Sequence, residues 1–446
     1  MLLSRWAAIL AVLLGASTMA AHAENWPQWR GPAGTGASPD VEVPDTWSDS
    51  TNIAWRARLR GVGISSPIAW EDRVYLTSQV GRGESRVGPR LGQGTSASDD
   101  ERSLAGGAAS QAGVLFLIEA VDRTSGAPAW TFELPAEGDL PSVHDKHNLA
   151  SASPVTDGER VYAIFGTGQV VAVDMRGQRV WVRNLAKEYG PFDINWGHGS
   201  SPIVHKGVLY LVCYHESMAY LLAVDARTGR QLWKVDRPRG VISYSTPIVV
   251  PAGGREELIV NSSTGIEAYD ARTGEALWHF DEDNRFPIPV PLHHEGVIYV
   301  SRGYRSGPYA ALRPGGRGDI SKSHVVWHVP TGAPYISSLV YHDGLLYMAG
   351  DVGVISCIDA RTGQPVWRER IGGIFTASPV AADGKIYLAS ESGETVVLQA
   401  GRTPRVLGRN RIKGRVLATP AIAGGRIFFR TDNEVIAVGS SARTQG

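Results

Sequence analysis

One eleven-residue unit is written three times almost letter for letter. It reads AVDARTGRQLW at Ala223–Trp233, AYDARTGEALW at Ala268–Trp278 and CIDARTGQPVW at Cys357–Trp367. AVDRTSGAPAW (Ala120–Trp130) is a fourth copy, and AVDMRGQRVW (Ala172–Trp181) is a fifth, one residue shorter. The common form, A-x-D-x-x-T-G-x-x-x-W, has the chemistry of a β-hairpin. An alternating apolar strand ends at the Asp, whose carboxylate accepts backbone N–H groups of the turn, and the Thr hydroxyl adds to this. Gly supplies the positive φ that closes the loop. The next strand carries a Trp large enough to pack between neighbouring sheets.

A second signature alternates with the first: S-S/T/A-P, a short D/G turn, then an apolar strand containing Tyr, as in SSPIAWEDRVYL from Ser65 and SSPIVHKGVLYLV from Ser200. Together the two signatures make a four-stranded unit. The Pro slots fall at 67, 154, 202, 247, 291, 339 (Leu), 379 and 420, most of them 40 to 48 residues apart, which is the period of propeller blades. The gap of 87 residues after Pro67 holds an insert. The Trp slots are Trp55, Trp130, Trp181, Trp233, Trp278, Trp327 and Trp367, with Leu407 in the eighth place. Trp55 precedes the first unit, and the last unit, Ala418–Val438, lacks its Trp strand. Both loose ends are explained if the strand around Ile53–Leu59 completes the C-terminal blade and leaves no free edge. The expected fold is an all-β, eight-bladed propeller of four-stranded antiparallel blades, closed by the N-terminal strand.

The repeat resembles the tryptophan-docking motif of the pyrroloquinoline quinone (PQQ)-type β-propellers, across essentially all of Trp47–Val438. The segment NWPQWRGPAGTG (Asn25–Gly36) is similar to the N-terminal signature of a set of exported bacterial proteins with this propeller. The resemblance implies that the seven Trp named above dock each blade to the next. It does not by itself imply a bound quinone, because one fold hosts many functions.

Residues 1–23 read as a signal peptide: Arg5, an apolar run Ala7–Leu14, and Ala21-His22-Ala23 as a cleavage site. Periplasmic or secreted location after cleavage near Ala23 is therefore expected, with a strap at 24–46, the propeller at 47–438 and a tail at 439–446. No later stretch reaches the 18 apolar residues of a membrane span. Cys213 and Cys357 occupy different repeat positions and read as two buried thiols rather than a disulfide framework. Basic and acidic residues balance at 44 each, which argues against nucleic acid or an anionic membrane as the main partner. Residues 81–113 are rich in Gly, Ser, Arg and acids and poor in large apolar side chains, and read as a disordered insert.

Propellers bind ligands where the innermost strands begin. Four residues before each Pro slot stand Gly63, Ala150, His198, Ser243, Pro287, Tyr335, Phe375 and Val416, a ring with one His and no carboxylate. The approach loops VHDKHNLASASP (Val143–Pro154) and FDINWGHGSSP (Phe192–Pro202) are the richest in polar groups. The candidate ligand-binding residues are His147, Asn148, Asn195, Trp196, His198, Tyr244, Tyr335 and Phe375. Polar groups beside aromatics suit a small polar or flat ligand. The structural alternative is that His147 and His198 bond loop carbonyls. His144, Asp145 and His147 lie close in sequence, but nothing shows them presented together, so no metal site is assigned. No G-x-S-x-G elbow, H-E-x-x-H, Walker loop or dinucleotide fingerprint is present, and no catalytic residue is assigned.

Three functions are compatible with this reading. The first is an exported, non-catalytic binding or scaffolding propeller, a monomer with no resident cofactor, that presents its channel face to a periplasmic or extracellular protein or to a small ligand. The resemblance supports it, because the outer-membrane protein assembly lipoprotein of the same repeat family is a scaffold. The second is a PQQ- and Ca²⁺-dependent quinoprotein dehydrogenase of alcohols or sugars. Alcohol-type members of that group carry adjacent cysteines and a Glu, Asn and Asp set. This chain has no Cys-Cys, and Asp145, Asp193 and Asn195 lack the spacing. The third is a polysaccharide-binding module that stacks Trp196, Tyr244, Tyr335 and Phe375 on sugar faces.

Overall fold

The computed structural model describes residues 25–81, 85–86, 113–304 and 306–439. Residues 1–24, where a signal peptide is expected, most of 81–113, read as an insert, and the tail after 439 lie outside these residues. Eight antiparallel sheets follow one another in chain order. Blade 1 consists of Ile68–Trp70, Arg73–Val80, Leu115–Asp122 and Pro128–Pro135. Blades 2 to 7 begin at the inner strands Val155–Thr156, Ile203–His205, Ile248–Ala252, Leu292–His294, Val340–His342 and Val380–Ala382. Blade 8 is Ala421–Ala423, Arg426–Arg430 and Glu434–Val438, completed by Ile53–Arg58 from the other end of the chain. The expected eight-bladed propeller and its closure are both present.

The repeat letters account for the blade. The Ala slot stands opposite the Trp across the strand pair: Ala120 faces Trp130, Ala223 faces Trp233, Ala268 faces Trp278 and Ala437 faces Trp55. A small residue there leaves room for the indole. The Tyr of the second strand completes the row, with Tyr210 and Trp233 centroids 5.9 Å apart and Tyr347 and Trp367 6.0 Å apart. The Asp caps its own turn: Asp225 Oδ1 accepts the Thr228 N–H at 2.8 Å and the Thr228 hydroxyl at 2.7 Å. The indole then reaches the next blade. Trp181 Nε1 donates to Ala226 O at 2.9 Å, just past that Asp, and a Cβ on Gly229 would stand 2.7 Å from the same indole. Trp55, Trp130, Trp233 and Trp327 make the same bond to Arg123, Met175, Ala271 and Ala360. Trp367 reaches Gly401 O at 3.0 Å.

Two junctions differ. Blade 5 carries a longer hairpin, and its Gly318–Asp319 pairs in parallel with Trp278–His279, adding a fifth strand to blade 4. Trp278 Nε1 there donates to the buried Glu257 carboxylate of its own blade at 2.7 Å. In blade 7 the residue opposite the Ala slot is Gly408, paired with Val397, and not Leu407. The turn closed by Gln399 N–H and Arg405 O is one residue longer than that closed by Asp225 N–H and Arg230 O in blade 3, and this shifts the register by one residue. The missing indole is supplied from outside the repeat. Trp47 packs against Tyr387 of blade 7 and Phe429 of blade 8, with centroids 6.5 and 5.6 Å away. Both cysteines are buried and unpaired with each other. Among the described residues no helix is long and apolar enough to cross a membrane.

Candidate functional site

The inner strands set the channel wall by their alternation. The residue just before each Pro slot is a hydroxyl in seven of eight blades, and these hydroxyls link blade to blade. Ser66 N–H donates to Ser153 Oγ, Ser153 N–H to Ser201 Oγ and Ser201 N–H to Thr246 Oγ1, each at 2.9 Å. On the other side Val290 N–H donates to Ser338 Oγ, Ser338 N–H to Ser378 Oγ and Ser378 N–H to Thr419 Oγ1, at 2.9 to 3.0 Å. The chain of bonds is interrupted after Thr246, where Val290 stands in the hydroxyl slot.

Two residues further upstream lies a second ring on the same face: Ile64, Ser151, Gly199, Tyr244, Ile288, Ile336, Thr376 and Leu417. All eight line one cavity of 220 Å³. Five of the hydroxyls, Ser66, Ser153, Ser201, Ser378 and Thr419, line it as well. The ring read from sequence, four residues before Pro, is one residue out of phase. Side chains alternate with period two, so that ring mostly turns into the blades. Phe375 is packed in the core between blades 6 and 7, and His198 is buried against Phe192 and His215. Of that ring, Tyr335 alone lines the cavity.

The N-terminal segment forms the floor. Trp26 pairs with Ala69 in blade 1, the Thr156 N–H of blade 2 donates to Pro27 O, and Ala37 pairs with Ala381 in blade 7. Between these anchors Trp29 lines the cavity. The buried Arg30 guanidinium donates to Pro379 O at 2.7 Å, to Thr35 O at 2.9 Å and to Leu339 O. The strap therefore crosses the channel rather than lying along its outside.

The mouth is built by the approach loops. His144, Lys146 and His147 come from the loop before blade 2, and Trp196 from the loop before blade 3. Trp196 packs edge-on to His144 at 5.3 Å, and its backbone N–H donates to the Tyr244 hydroxyl at 3.4 Å. From Tyr244 an aromatic wall continues through Phe286 and Tyr304 to Tyr335, with successive centroids 6.3, 5.0 and 5.3 Å apart. Sequence reasoning missed Phe286 and Tyr304, which sit outside the repeat slots. Lys146 Nζ spans to Glu391 Oε1 of blade 7 at 2.7 Å, and Thr376 Oγ1 donates to the same oxygen at 2.5 Å. Asp351 accepts the N–H groups of Tyr335 and Ile336, and burial raises its pKa.

Four of the eight candidate residues, His147, Trp196, Tyr244 and Tyr335, share this cavity. Asn148 instead ties its loop to Val62 O at 3.1 Å and to the Ala150 N–H at 3.0 Å. Asn195 sits in the same approach loop as Trp196 but does not line the cavity. Burial holds His147 neutral, its pKa lowered to about 3, with the neighbouring His144 and His198 adding to the effect. Burial likewise lowers His198 to about 4 and His215 well below its ordinary value. His198 Nδ1 and His215 Nε2 lie 3.1 Å apart, so one must donate and the other accept.

The family model described as outer membrane protein assembly factor BamB matches residues 46–191, 115–281, 319–403 and 353–444. The chain belongs to this PQQ-like β-propeller family. No protein of curated function matches it. Among solved structures, BamB from Moraxella catarrhalis is similar over 88% of this chain and 98% of its own, at 14% identity and a TM-score of 0.56. Quinohemoprotein alcohol dehydrogenase from Comamonas testosteroni covers 95% of this chain and 82% of its own, at 13% identity and a TM-score of 0.65. A europium-containing methanol dehydrogenase covers 93% and 89%, at 13% identity and 0.62. At such identities the likeness is one of fold.

This PQQ-like propeller can be tested for the quinone that its family name suggests. Ca²⁺ takes six to eight oxygens, carboxylates prominent among them. Among the described residues the cavity lining offers neutral hydroxyls and no carboxylate. PQQ is a tricarboxylate, and among the described residues Lys146, the one lining cation, is already paired with Glu391. The donor set does not fit a Ca²⁺–quinone site.

Proposed function

We propose that this protein is an exported, non-catalytic binding propeller that offers the mouth of its channel to a protein segment or a small ligand. The observation that carries this reading is the one-ended cavity. Its floor is sealed by Trp29 and Arg30, and its walls are aromatic, aliphatic and hydroxylic. Of the groups at its mouth that could move protons, Lys146 is paired with Glu391, His144 Nδ1 lies 3.0 Å from Asp145 Oδ1, and His147 is held neutral. General acid–base work needs a group poised near neutral pH within reach of substrate. Membership of a family whose model is described as an assembly factor supports a protein partner.

The dehydrogenase reading has the fold likeness to alcohol dehydrogenases in its favour. One titration separates the two. Purified protein is mixed with PQQ, with and without Ca²⁺, and followed by absorbance and Trp fluorescence. No saturable binding at tens of micromolar is expected. Saturable Ca²⁺-dependent binding, followed by dye reduction with an alcohol or sugar, would overturn the binding reading.

A further inference from the structure

The cavity is two-faced. One side is an arc of five hydroxyls on successive blades, from Ser378 and Thr419 through Ser66 to Ser153 and Ser201, each at most 5% exposed. Four of them already accept a backbone N–H from a neighbouring blade. A hydroxyl has one proton to give, and among the described residues no protein acceptor takes those protons. The arc is therefore a bank of donors. The other side, formed by Trp196, Tyr244, Ile288 and Ile336, is aromatic and aliphatic, and Ile64 and Leu417 stand above the arc on its own blades.

Buried donors need acceptors, and buried apolar walls need apolar contact. Water satisfies only the first, a hydrocarbon only the second. An amide or alcohol brings protons of its own into a space already rich in them. A carboxylate brings none and accepts at about four lone-pair positions. The buried Arg30 guanidinium, which donates to Pro379 O next to Ser378, sets a positive charge beside the arc. We propose that the cavity binds a small monocarboxylate with an apolar body, its head group in the hydroxyl arc and its body against the aromatic wall. This rests on the binding reading above and adds the ligand class.

The test is isothermal titration of the full chain with 3-phenylpropionate, 3-phenylpropanamide and 3-phenylpropanol at neutral pH. One-to-one binding of the carboxylate is expected, at least tenfold tighter than either analogue. Ala418→Met, which fills the cavity without removing a hydrogen bond, should abolish that binding with its melting temperature retained. If that variant does not fold, Ile336→Phe serves the same purpose. Equal binding of the three probes, no binding of any of them up to millimolar concentration, or binding that survives both cavity-filling variants would each overturn the proposal. These outcomes leave the binding reading standing, which fails instead if PQQ binds with Ca²⁺ and supports dye reduction.

Discussion

Trp47 lies over Tyr387 with its ring tilted by 26°, and Asp45, two residues before it, fills the space that Gly408 leaves by lacking a side chain. A Cβ on Gly408 would stand 2.5 Å from Asp45 O, so the strap and the glycine depend on each other. Trp47 thus docks blade 7 to blade 8 from outside the repeat. Trp47→Ala should cost about 3–5 kcal/mol, as for other buried aromatics, and expose the strap to protease. Thermal melts and limited proteolysis would check this; a near-neutral effect would sink the docking role.

The indole N–H groups are not equivalent. Trp233→Phe removes a bond to a backbone carbonyl and should cost about 1 kcal/mol beyond the packing loss. Trp278→Phe removes a donor from a buried carboxylate whose remaining partners are Arg255 and the Gly315 N–H. It should cost about 1.5–3 kcal/mol on the same basis. Chemical denaturation of both variants would show whether the order holds.

Turn glycines separate backbone strain from docking. Gly207 has φ +78° with open space around it, and Gly207→Ala should cost about 1–2 kcal/mol for the left-handed backbone alone. Gly229 has φ +72° and also meets Trp181. Gly229→Ala should cost measurably more, and equal losses would mean that the indole gives way freely.

Stability should fall in mild acid. His147 and His198 are neutral in the folded protein, with pKa values near 3 and 4, whereas the unfolded chain takes up protons near 6.5. Between those values the unfolded state binds more protons, so stability rises with pH there and is lost as pH falls from about 6.5 towards 4. Each histidine contributes a slope of about 1.4 kcal/mol per pH unit within its window. Melting temperatures of the protein and of His147→Gln between pH 4 and 7 would show the dependence and its partial loss. A flat profile for the unaltered protein would contradict the buried neutral assignment.

The blade was legible because one hairpin encodes it: Ala makes room for Trp, Asp caps the turn, and Gly lies against the preceding indole. Each of those is a local rule that a sequence displays. The channel face was harder, because a shift of one residue turns a side chain from channel to core. The pattern S-S/T-P already held the phase, since the hydroxyl in that slot links neighbouring blades at six junctions. Trp47 and the Lys146–Glu391 pair were not legible at all, because their partners stand hundreds of residues away and no repeat marks them.

Ile53–Arg58 finds its partner only in Glu434–Val438. Seven blades draw their strands from contiguous sequence and can form as the chain emerges. The eighth cannot, because its outer strand is among the first made and its inner three among the last. Until then the early strand is an unpaired edge, and the strap that seals the channel has blades 1 and 2 to rest on but not yet blade 7. The last strand to be made is therefore a clasp, and a chain stopped before Glu434 would hold every docking tryptophan and still be an open ribbon.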